Sequence, residues 1–178
     1  MGISEHYWQL SMGFAPISST LCVKIMKSNC EELISLLVLF DGDLECTGQG
    51  WADVGADMCE ERLNQFNDAD WNDLYNKFKA LPESQQYLLI YALQLAPDIK
   101  GIPILIELLL SKNEKIWQES LIELSSAYSR TPESLDTVTI TKDMASLIIS
   151  KCSIQTPKYY HPKDPEIAGF IEYVQANT

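Results

Sequence analysis

A proline-punctuated pair of amphipathic segments occurs twice, about 31 residues apart, between Asp70 and Arg130, and this repetition leaves the chain few folds to choose from. In the first pair, Trp71, Leu74, Tyr75, Phe78 and Leu81 recur at helical spacing, Asp70 is placed to cap the helix, and Pro82 ends it. Its second segment opens at Glu83, has Tyr87, Leu88, Ile90, Tyr91, Leu93 and Leu95 as its apolar side, and breaks at Pro97 and Gly101. The pattern then restarts. "IPILIELLLS" carries Pro103 in its first turn, where the missing N–H costs nothing, "KNEK" turns the chain, and "IWQESLIELSSAYSR" runs up to Pro132. Helix pairs recurring at such a period hide their apolar faces by stacking on their neighbours. The expected fold is all-α, one helical domain over residues 1–178, with its clearest pairs at 70–96 and 101–130.

Upstream, Ser28 followed by Glu31 fits a capping box opening "CEELISLLVLF", which is apolar on almost every side and is expected to be the innermost helix. The preceding "ISSTLCVKIMK" suits a helix or a strand. Near the C-terminus, "TITKDMASLIISKC" and "DPEIAGFIEYVQAN" form a further pair of segments, separated by "SIQTPKYYHPK".

Charge singles out one region. The chain carries a formal net charge of -12, and residues 41–73 hold ten acidic side chains against the single base Arg62. A helix is expected from about Ala52 to Phe66, and on it Asp53, Asp57, Glu60 and Glu61 recur at three- and four-residue spacing with few cations one turn away. Such a face repels itself, a cost that is offset when it steers in a basic partner. Trp51 and Trp71 flank the segment; Trp51 is the expected aromatic anchor, whereas Trp71 begins an apolar stripe and reads as core. The partner-binding set is accordingly Asp41, Asp43, Glu45, Trp51, Asp53, Asp57, Glu60, Glu61, Asp68 and Asp70. A merely solvated loop and helix is the plainer alternative.

Asp41, Asp43 and Glu45 alternate as in a calcium loop, but Cys46 stands where that loop turns on glycine and Ala52 where it needs a bidentate glutamate. No metal or cofactor is expected. The five cysteines are odd in number and lack CxxC spacing, which suits reduced thiols of a cytoplasmic protein. No dinucleotide, phosphate-loop, nucleophile-elbow or HExxH motif occurs, and no catalytic residue is assigned. The acidity argues against nucleic acid, whose phosphates need cations, and "PKYYHPK" is too short a basic and aromatic stretch to reverse that. The N-terminus lacks a secretory pattern and "LISLLVLF" is too short to span a bilayer, so no membrane partner is expected.

Residues 101–127, "GIPILIELLLSKNEKIWQESLIELSSA", resemble a HEAT repeat: a proline-containing first helix with a Leu/Ile ladder, a short polar turn, and a second helix of small and apolar positions. The resemblance implies a HEAT-like α-solenoid of stacked antiparallel helix pairs and extends to 70–96. Neither His6 nor His161 is followed by the acidic residue that HEAT-like di-iron hydroxylases place beside their histidines, so that metal site is not expected. An acidic chain with a helix pair of the type "DADWNDLYNKFKALPESQQYLLIYAL" is also similar to bacterial immunity proteins against polymorphic or contact-dependent toxins. This resemblance implies tight binding to a cognate toxin domain, often a basic nuclease, whose active site is covered. A HEAT-type adaptor in a larger complex is the competing expectation.

Overall fold

A computed structural model describes residues 27–42, 48–96, 99–131, 139–152 and 165–177. The described residues form eight α-helices and no strand: α1 Asn29–Leu39, α2 Ala56–Leu63, α3 Asp68–Lys77, α4 Glu83–Gln94, α5 Ile102–Leu109, α6 Glu114–Arg130, α7 Lys142–Cys152 and α8 Pro165–Ala176. A π-helical turn, Trp51–Gly55, leads into α2, so the helix expected over 52–66 starts differently and stops earlier.

Local chemistry explains the helix starts. Ser28 Oγ accepts from Glu31 N at 3.1 Å while Glu31 Oε2 accepts from Ser28 N at 3.2 Å, a closed capping box on α1. α3 begins three residues before the position expected from sequence: its N-cap is Asn67, whose Oδ1 accepts from Ala69 N and Asp70 N. Asp70 is thus not the cap. It sits three residues in, returning a bond to Asn67 N at 3.2 Å. Pro103 lies in the first turn of α5, and Asn113 caps α6 while its Nδ2 donates to Glu83 Oε2 at the start of α4, 2.7 Å away.

The long helix α6 is central, packing against α5, α4 and α8, while α7 lies against α8. At the other end α1 packs on α2, α3 and α4. α1 is therefore not innermost. Cys30, Leu33 and Leu37 face inward, but Val38 is 56% and Leu39 68% exposed. The interior belongs to α4, α5 and α6, where Leu88, Leu89, Ile90, Ile104, Ile106, Leu109, Leu121 and Leu124 are all fully buried. "CEELISLLVLF" misleads because a helix that is apolar on most sides can expose its surplus where neighbours are missing.

The π turn is fixed by packing. Trp51 is buried, edge-on to Phe40 at 6.2 Å, and a Cβ built on Gly55 would stand 2.9 Å from Trp51 Cε3 and 3.2 Å from two Phe40 ring atoms. Neither ring can yield cheaply. Gly55→Ala is expected to cost about 1–3 kcal/mol by overpacking, read as a lowered urea midpoint with an unchanged slope.

Candidate functional site

The ten residues expected to face a partner fall into three groups. Four of them have structural duties. Trp51 is core, which removes it as an anchor: its indole fills the angle between α1 and α2. Asp70 is buried at the meeting point of two helix N-termini, where Oδ2 accepts from Asn29 Nδ2 at 3.2 Å and Oδ1 from Cys30 N at 3.4 Å. A carboxylate there completes unsatisfied N–H groups and matches both helix dipoles. Asp68 is exposed but paired with Lys100 Nζ at 2.5 Å, and that ion pair holds its carboxyl below the ordinary aspartate range. Asp41 accepts from Gln85 Nε2 at 2.9 Å; bonds from Ser84 and then Gln85 lower its pKa and tie the end of α1 to α4.

Asp43 and Glu45 lie outside the described residues. The remaining four, Asp53 on the π turn and Asp57, Glu60 and Glu61 on α2, are all exposed. Their carboxylates have no hydrogen-bond or ion-pair partner among the described residues. Other acids are paired: Glu32 with Arg62 at 2.8 Å, Asp73 with Lys77 at 2.7 Å and Glu107 with Lys79 at 2.9 Å. The one base of the acidic region, Arg62, is held away from α2's open face, donating to Asn29 Oδ1 and Gln65 Oε1 as well as to Glu32. The outward face of α2 is a small field of uncompensated negative charge, able to attract cationic groups before contact.

Trp71, read as core from its periodicity, is buried against Phe66 at 5.1 Å. The described cysteines, Cys30, Cys59 and Cys152, are buried free thiols, and desolvation pushes Cys30 and Cys59 up to about 12, opposite to what a nucleophile requires. No cluster of three or more His, Cys, Asp or Glu among the described residues is placed to hold a metal ion. No described helix is long and apolar enough to cross a membrane. His6, His161, Cys22, Cys46 and "PKYYHPK" lie outside the described residues.

Reading the sequence for charge missed the apolar part of this surface. Val54 and Met58 are exposed one turn apart beside the carboxylates, and Leu36 and Met58 line an open groove of about 380 Å³ between α1 and α2. Their spacing was available as a signal, but apolar residues among acids read as the buried side of an amphipathic helix.

Comparison with protein-family models, with curated proteins and with solved structures finds no significant match. What can be defined from the molecule itself is its class: an all-α protein that presents an acidic helix face.

Proposed function

We propose that this protein is an immunity protein, which binds a cognate toxin domain, a basic nuclease, and neutralises it by covering its active site with the acidic face of α2. The observation that carries this reading is the partition of charge: Asp53, Asp57, Glu60 and Glu61 stay exposed and without a partner among the described residues, while neighbouring acids are committed to caps and ion pairs. Leaving carboxylates mutually repelling on one helix is unfavourable for folding alone, and it becomes useful when a cationic surface arrives. A nuclease groove shaped for phosphates supplies such a surface, and carboxylates can occupy it in their place. The protein then acts by contact, with no catalysis, metal or cofactor of its own. The succession of contacts α4 to α6 to α8 is compatible with stacked HEAT-like pairs, a scaffold that would hold this face rigid. A HEAT-type adaptor docking a basic tail is the alternative use of the same charges.

The test is titration of the full chain against the product of the adjacent gene at low and high salt. Tight binding, an association rate that falls with salt and loss of the product's toxicity support the proposal; binding without neutralisation favours the adaptor. In the same assay, Asp57→Lys combined with Glu61→Lys is expected to slow association by at least roughly tenfold at low salt. Both residues are exposed, so circular dichroism and melting temperature should hardly move. An unchanged association rate removes this face from contention.

A further inference from the structure

We propose that the groove between α1 and α2 receives a cationic amphipathic helix of the partner, the apolar side entering the groove and the cations meeting the carboxylates of α2. This rests on the acidic-face reading above and specifies what the partner presents there.

The two groove walls are helical strips. On α1, Glu32, Ser35 and Leu36 line the groove, and exposed Leu39 continues the same strip at the next turn. On the facing side Met58, Glu61 and Arg62 line it, and exposed Val54, on the π turn, stands one turn before Met58. Arg62 is bonded to Glu32 at one end, and the ring of Phe40 touches Gly55 and Trp51 at the other, so the two helices run antiparallel. The groove is consequently graded. Its Arg62 end is charged, with Lys27, Glu32, Glu61 and Arg62, of which Arg62 is paired with Glu32. Its middle is Leu36 and Met58, and toward its far end stand Leu39 and Val54.

From Glu32 to Leu39 is about two helical turns, roughly 10 Å, the footprint of two or three successive apolar side chains on a docked helix. Such a helix also needs cations on one flank. Glu61 lines the groove itself, and at roughly 100° per residue Asp57 lies next beyond it round α2, bordering the groove on its solvent side, while Glu60 is turned further away. An apolar rib beside an unpaired acidic rib is complementary to a helix carrying both leucine-type and lysine-type stripes. A second copy of this chain is a poor occupant, because it brings its own charge of -12 against the same carboxylates.

The experiment uses the full chain and two synthetic peptides of about 14 residues, identical in Leu and Lys content. One has leucines at helical three- and four-residue spacing; the other is scrambled so that no helical face is apolar. Titration calorimetry is expected to show the amphipathic peptide binding at least about tenfold tighter. Val54→Gln combined with Met58→Gln should abolish that preference while leaving binding of the scrambled peptide in place. Asp57→Lys with Glu61→Lys should weaken both peptides. Equal binding of the two peptides, still abolished by charge reversal, overturns the groove proposal and leaves the acidic face standing. Binding indifferent to charge reversal, or no binding of either peptide, overturns both. Val54 and Met58 are exposed, so the paired glutamine variant is expected to fold; if it does not, Leu39→Gln serves the same comparison.

Discussion

Trp117→Ala should destabilise the protein by about 3–5 kcal/mol, the range for emptying a buried tryptophan site. Trp117 is 5% exposed, in the first turns of α6, the helix against which α4, α5 and α8 all pack. Its ring also carries a contact from another element: Lys151 of α7 lies 5.2 Å from the ring centroid and donates to the Ser111 carbonyl in the turn before α6. Desolvation there lowers the Lys151 pKa below the usual lysine range, so the ammonium depends on these two partners. Truncation removes the ring from the core and one support of that cation together. Urea unfolding gives the loss, and far-ultraviolet circular dichroism at low temperature shows whether α6 still forms. A variant that folds with native stability would mean that Trp117 is dispensable to the core.

Glu123→Gln should make the protein more stable in mildly alkaline solution, by up to roughly 3 kcal/mol, and should not do so near pH 4. Glu123 is 5% exposed on α6 and its Oε2 has no hydrogen-bond partner among the described residues. Burial pushes its pKa up from 4.5 to about 7; Arg130 partly opposes this and Glu119 adds to it. An acid whose folded pKa lies above its unfolded one is bound to its proton more tightly in the fold. Its ionisation therefore subtracts stability progressively as pH rises from about 4.5 through 7, and the loss is complete above that. At about 1.4 kcal/mol per pH unit, that interval corresponds to the stated 3 kcal/mol. The difference between wild type and variant isolates this group, since Asp41, Asp68 and Asp73, all with lowered pKa values, lose stability in the opposite direction, as pH falls. Unfolding free energies at pH 5 and pH 8 decide the matter. A constant difference between the two proteins would show that Glu123 stays ionised in the fold.

Both predictions concern α6, and they mark how far the sequence could be read. The tryptophan falls on the apolar stripe with Ile116, Leu121 and Leu124, so periodicity alone places it in the core. Glu123 lies on the same inward arc, three residues after buried Ser120 and seven after Ile116, yet a charged residue on a helix is read as solvated by default. Helix existence was legible because proline, capping boxes and three- and four-residue spacing are local signals. The depth of each helix was not, since it depends on which neighbours arrive: α1 looked innermost and is half open, whereas α4 is buried along most of its length. Charge density located the acidic region, but only packing could separate Asp70, which serves two helix ends, from Asp57, which serves none. The same limit explains Trp51, whose burial depends on Phe40 folding back over Gly55.

The shared carboxylate of Asp70 also bears on how fast a partner could be captured. By bonding to Asn29 and Cys30 at the start of α1 it closes a loop of about 40 residues, and the Arg62–Glu32 ion pair crosses the same loop at α2. The helix that carries these carboxylates is thereby positioned during folding, and the cost of placing its backbone is not subtracted again when a ligand docks. A preorganised face of this kind keeps more of its interaction energy as affinity. Loosening Asp70 should then appear at a distance, as weaker binding by residues that have themselves been left untouched.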